Sequence, residues 1–119
     1  LEDDVHAGLA RMTGLVEDMA EQRGVENALQ MTLGISNGKS LYAVRYSTVG
    51  EARSLFYSAS RNAAMEIAPG ADKFSRNARA IVSEPLSTLK SEWIPVPEAS
   101  FLTINKGEVS CRPFAPIRP

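Results

Sequence analysis

The side chains that could do chemistry in this sequence are few and stand far apart. There is one histidine, His6, and one cysteine, Cys111. Nucleophilic catalysis needs a hydroxyl or thiol beside a base. His6 falls in the first turn of a helical stretch, where a lone histidine is ordinarily a surface residue, and no base-nucleophile partner for it is evident. Cys111 lies between Ser110 and Arg112 in a predicted strand. Arg112 could lower the thiol pKa, yet a cysteine in a strand reads first as a small core residue. One His and one Cys make no zinc ligand set. No glycine-rich phosphate loop is present. Neither a metal nor a cofactor is expected.

The carboxylates offer little more. Asp3 and Asp4 read as helix capping, and Glu17-Asp18 as a solvated face. Glu84 differs. It follows Ser83 at the end of an apolar run and precedes Pro85, so it lies at a strand end, where sites often lie. Its plain reading is a loop-ordering residue that accepts backbone hydrogen bonds, with a direct catalytic role the minor reading. Arg45 falls on a polar strand face, with solvent exposure expected and anion binding the minor reading. Trp93 reads as a packing anchor.

The bulk properties narrow the class. At 119 residues the chain is one domain, spanning residues 1–119, with 44% hydrophobic and 23% charged residues, the balance of an ordinary globular protein. A net charge of -1 argues against a nucleic-acid partner, because phosphate contacts need a basic surface. A single cysteine forms no internal disulfide, which suits a reducing, cytoplasmic setting. No apolar run reaches the ~20 residues of a membrane span. The acidic start is no signal peptide, and the opening Leu1, in place of Met, suggests a segment of a longer chain.

The elements that must position these residues begin with a helix. Val5, Leu9, Met12, Val16 and Met19 step by four, three, four and three, which predicts one buried apolar stripe. Gly24 is placed to stop it. Next, Leu29, Met31, Leu33 and Ile35 alternate with polar or small residues. Asn37-Gly38 then predicts a type I′ turn. That turn sets Ser36 opposite Lys39, Leu33 opposite Tyr42, Met31 opposite Val44 and Leu29 opposite Tyr46. One face then collects the large apolar side chains, apart from Leu41. Leu55 to Ser58 is a short strand, residues 60–76 a surface excursion, and Ala78 to Ser83 a further strand. Trp93 falls in an extended, proline-bounded loop. Phe101 to Ile104 and Val109 to Arg112 form a second hairpin with a longer turn. One long helix and about six mostly antiparallel strands make an α+β fold.

Several of these segments together resemble a known family. Ala80-Ile81-Val82-Ser83-Glu84-Pro85-Leu86, then Trp93, Val96-Pro97, Phe101-Leu102-Thr103-Ile104 and Gly107-Glu108-Val109 are similar to the C-terminal part of class II glutamine amidotransferases. There a strand ends in a Ser-Glu signature and a Val-x-Pro-Gly-type turn leads into the last hairpin. Leu33-Gly34-Ile35-Ser36-Asn37-Gly38, Leu41 to Ser47 and Leu55-Phe56-Tyr57-Ser58 resemble the stand-alone branch of predicted amidotransferases. Glu98-Ala99 stands where the family usually has a glycine-containing turn.

The resemblance implies a part of the αββα sandwich of N-terminal-nucleophile hydrolases. It also implies a parent reaction, hydrolysis of a glutamine or γ-glutamyl amide to glutamate and ammonia through a thioester on an N-terminal cysteine. That cysteine, which opens the family's chains, has no counterpart at Leu1. Asn37-Gly38 reads as a hairpin turn, not as the family's oxyanion pair. No family catalytic residue is carried over; Ser83 and Glu84, which match the family's Ser-Glu signature, are the candidate binding or supporting residues, and the chain alone is expected to be inactive. The expected partner is the missing N-terminal half, or a second copy of the chain. Glutamine or a γ-glutamyl substrate would bind only in the complete protein. The alternative is a non-catalytic interaction or ligand-binding module that keeps only the scaffold.

Overall fold

The computed structural model describes residues 2–59, 79–85 and 92–119. The excursion read at 60–76 lies outside the described residues, as do Ala78 and Leu86. The elements are α1 (Glu2–Gln22), β1 (Gln30–Ser36), β2 (Ser40–Ser47), β3 (Phe56–Ser58), β4 (Ile81–Val82), β5 (Trp93–Pro95), β6 (Ser100–Asn105) and β7 (Glu108–Pro113). The α+β expectation holds, with seven strands in two antiparallel sheets among the described residues. Strands β1-β2-β6-β7 make the larger sheet and β4-β3-β5 the smaller. Trp93 is the buried anchor expected, although it opens β5 and is not in a loop.

Strand alternation gives the large sheet two different faces. Met31, Tyr42, Val44 and Phe101 turn toward α1, where Ala10 and Phe114 close one core and Val5 and Leu9 pack onto it. Ala43, Leu102 and Ile104 turn the other way and meet Leu55, Val96, Tyr57 and Ile81 in a second core. The layers are therefore helix, sheet, sheet. The helix covers one face and the smaller sheet covers the other.

Both hairpins differ from expectation in their turns. Met31 faces Tyr46, Leu33 faces Val44 and Ile35 faces Tyr42, two residues from the predicted partners. A shift of two preserves every side chain's face, so the sorting of apolar and polar residues survives the error. The bend centres on Gly38-Lys39. Gly38 has φ 87° and Asn37 does not enter the left-handed region, whereas a type I′ turn on Asn37-Gly38 needs positive φ at both. The Asn37 side chain explains the displacement. Its Oδ1 accepts from the backbone N–H groups of Lys39 at 2.9 Å and Ser40 at 2.7 Å. The I′ signature occurs in the second hairpin instead, where Asn105 faces Glu108 and Lys106 and Gly107 have φ 51° and 83°.

The helical stripe is half right. Met12, Leu15, Val16 and Met19 are exposed, and the inward residues of that half are Ala10, Thr13, Gly14 and Glu17. The C-terminal segment causes this rotation. Ile117 donates its N–H to the Ala10 carbonyl at 2.9 Å, and a Cβ at Gly14 would collide with the Ile117 carbonyl. A close backbone crossing requires small residues. Glu17 is 6% exposed. Its Oε2 accepts from the Tyr46 hydroxyl at 2.6 Å and the Thr48 hydroxyl at 2.8 Å. Asp3 does not cap the helix from outside. It lies within the first turn and pairs with Arg112 at 2.9 Å.

Candidate functional site

Ser83 and Glu84 follow the short edge strand β4, and both are exposed. β4 pairs with β3 through Phe56–Val82 and Tyr57–Ile81, and that pairing brings the segment after β4 against the segment before β3. The Ser54 hydroxyl donates to the Ser83 carbonyl at 2.9 Å. Arg53, Ser54, Ser83 and Glu84 together line an open cleft of 340 Å³. The structure thus places both predicted residues in one cleft and adds Arg53 and Ser54. Neither addition had a sequence signal, because both lie in irregular backbone that approaches β4 only in three dimensions.

The cleft floor is held by Arg45. Its Nε donates to the Arg53 carbonyl at 3.0 Å, Nη1 to Val96 at 2.6 Å and Nη2 to Ala52 at 3.1 Å. The Glu98 carboxylate lies 3.8 Å from Nη2, and the Arg45 side chain is 19% exposed. Glu98 also accepts from the Ala52 N–H. The expected solvent-exposed or anion-binding arginine is therefore a structural clamp. Strand periodicity put Arg45 on the polar face correctly, but it could not show that the loop from Gly50 to Leu55 crosses that face and presents carbonyls to a planar five-donor group.

The family-like turn after Val96-Pro97 is built around Ala99. Ala99 has φ 51°, the left-handed conformation that glycine adopts most readily. Its carbonyl accepts from Phe114 N at 2.8 Å. The alanine thus holds a conformation that glycine would adopt without strain.

Guanidinium, carboxylate and two hydroxyls equip the cleft to bind a polar ligand. Among the described residues neither hydroxyl has a base hydrogen-bonded to it. His6 is on the other side of the large sheet, with its ring edge-on to Phe101 at 4.8 Å and its Nε2 3.1 Å from the Pro113 carbonyl. It is half-buried and partnered, not a free surface residue. Cys111 is exposed on the edge strand β7 and is not a core residue. No group of three or more His, Cys, Asp or Glu side chains suited to a metal ion occurs among the described residues. No helix among them is long and apolar enough to cross a membrane.

No family model matches the sequence, and no curated protein matches it. Among solved structures the chain is similar to a glutamine aminotransferase class-II domain protein from Silicibacter pomeroyi. The two share 32% identity at a TM-score of 0.77, over 98% of this chain and 47% of that one. The chain thus spans about half the length of the relative it matches.

Proposed function

Because this chain is a relative of the class II glutamine amidotransferase domains across nearly its full length, we propose that it forms the C-terminal portion of such a domain. The parent reaction is hydrolysis of a glutamine or γ-glutamyl amide to glutamate and ammonia. The nucleophile is an N-terminal cysteine carried by the preceding half. The thiolate attacks the side-chain amide carbonyl, ammonia leaves, and water releases glutamate from the thioester. This chain's share is scaffold. The two sheets and the Arg45 clamp fix the loops around Ser83 and Glu84, and that edge borders the substrate site in a supporting role.

The observation that carries this reading is the relative of about twice the length, which this chain matches over nearly all of its own residues and 47% of the relative's. Two surfaces agree with it. The row Met12, Leu15, Val16 and Met19 on α1 is exposed at the spacing of a buried helix face. The outer edge of β7 has no partner strand among the described residues, an arrangement that invites a further strand. A preceding half that supplies one helix and one strand covers both.

The test is ammonia release from glutamine by the full gene product. Activity lost on replacing its leading cysteine with alanine supports the reading. A gene product without that cysteine, or with activity indifferent to it, favours the non-catalytic module.

A further inference from the structure

Asn37-Gly38 is the only Asn-Gly pair in the sequence, and the fold puts it in the open. Ser36, Asn37, Gly38 and Lys39 are all exposed at the tip of the β1–β2 hairpin. An asparagine followed by glycine has a reaction of its own. The backbone nitrogen of the glycine attacks the side-chain amide carbon and closes a five-membered ring. Glycine favours the attack because no Cβ crowds the approaching nitrogen.

Two features of this turn favour that step. The first concerns the amide carbon. Oδ1 of Asn37 accepts from the Lys39 N–H at 2.9 Å and the Ser40 N–H at 2.7 Å. When the carbon becomes tetrahedral, Oδ1 is the atom that carries the negative charge. Two main-chain donors already aimed at it make the arrangement of an oxyanion hole. Each bond strengthens as the neutral carbonyl oxygen becomes an oxyanion, so the pair stabilises the transition state more than the ground state. The second feature concerns the nucleophile. No backbone carbonyl among the described residues holds the Gly38 N–H. It donates to the Ser36 hydroxyl at 3.2 Å, an exposed partner that water can replace. The leaving atom, Nδ2 of Asn37, makes no hydrogen bond among the described residues. Asn105 gives the contrast. It is also exposed at a hairpin turn, but Lys106 follows it, and no backbone N–H among the described residues donates to its side chain.

We propose that Asn37 is a site of self-modification, which the folded turn converts to aspartate with release of ammonia. The Gly38 nitrogen forms a bond to Cγ and gives up its proton to water. Nδ2 takes a proton and leaves as ammonia, and the product is a succinimide. Water then opens the ring at either carbonyl, to aspartate or to isoaspartate. The sum is one amide and one water converted to one carboxylic acid and one ammonia. In the aspartyl product a carboxylate oxygen replaces Oδ1, so the Lys39 and Ser40 N–H groups keep an acceptor. The new charge joins a hollow that Lys39 and Lys106 also line. The reaction occurs once per chain, so it is separable from any turnover of glutamine, and it stands independently of the amide-hydrolysis reading.

The experiment incubates the full gene product at mildly alkaline pH, folded and in guanidinium chloride, and maps its peptides by mass spectrometry after acidic digestion. Asn37 should show the mass gain of amide-to-acid conversion and separate into aspartyl and isoaspartyl peptides. Conversion should be about fivefold or more faster in the folded protein than in the denatured chain, because only the folded turn aims two donors at Oδ1. Asn105 should keep its amide in the same folded sample. Asn37→Asp should melt no lower than the parent protein, since the turn keeps its cap. Conversion at Asn37 that is equal or slower when folded overturns the proposal, for the turn would then be protecting the amide. So does conversion of Asn105 at a matching rate, or an Asn37→Asp protein that melts lower.

Discussion

The Tyr46 hydroxyl donates to Oε2 of Glu17 at 2.6 Å, tying the middle of the only helix described to the second strand of the large sheet. The carboxylate is buried beneath α1 and takes a second bond from Thr48. This pairing joins helix and sheet where Ala10 and Gly14 are too small to add much apolar contact.

It also makes stability depend on alkaline pH. Burial raises the Tyr46 pKa most, the hydrogen bond to Glu17 next, and the charge of Glu17 after that, with Arg118 opposing. A phenol whose folded pKa is raised is fully stabilising below its unfolded value and loses that contribution as pH rises toward the folded value. Stability should therefore fall above pH about 10. Tyr46→Phe should cost about 1.5–3 kcal/mol at neutral pH and flatten that alkaline decline, measured by urea denaturation at pH 8 and pH 11. A parallel decline in both proteins would contradict the assignment.

Gly14 and Gly8 should respond to alanine with opposite signs. At Gly8 a Cβ meets nothing within 4 Å, so Gly8→Ala should gain about 0.5–1 kcal/mol of helix propensity. At Gly14 the new carbon meets backbone atoms of Ile117 and Arg118. The tail must lift and release the Ile117–Ala10 hydrogen bond. Gly14→Ala should lose about 1–3 kcal/mol net, read from thermal or urea unfolding of the two variants side by side.

Ala99→Gly should stabilise the protein. The left-handed conformation costs an alanine about 1–2 kcal/mol, and the greater freedom of glycine in the unfolded chain returns about 0.4–1 kcal/mol of that. A gain of about 0.5–1 kcal/mol is expected from the difference. A loss on denaturant titration would mean that the turn does not adopt the positive φ described.

The exposed row on α1 predicts association. Sedimentation of the 119-residue chain should show self-association that Met12→Gln with Val16→Gln reduces, without loss of the chain's own stability, since both side chains point away from its core. In the full gene product the same pair should destabilise, because the preceding half would cover that row. A concentrated, well-behaved monomer of the short chain would count against the surface.

Much of this architecture was legible in the sequence, and the failures share a cause. Alternation from Met31 to Ile35 and from Tyr42 to Tyr46 gave the correct faces even with the wrong turn, because the error was an even number of residues. The turn itself was misread because the Asn37 side chain capped its own loop. The helix rotation was hidden because Met12, Val16 and Met19 carry the same periodicity whether they face this core or another partner. Arg45, His6 and Cys111 were misplaced for a related reason. Their environments are made by the loop ending at Leu55, by Pro113 and by the sheet edge, none of which strand or helix periodicity reports. Glu84 was legible from its place at the end of an apolar run and Ser83 from the likeness to a family motif, while Arg53 and Ser54 carried no motif.

The central claim is that amide hydrolysis requires a half-domain this chain does not contain. Ammonia release from glutamine should be measured for the 119-residue chain alone and after mixing with the separately expressed preceding half of the gene product. The account predicts no turnover by the chain alone and turnover on mixing that depends on a leading cysteine in the added half. Robust turnover by the chain alone, abolished by Cys111→Ser, would contradict it.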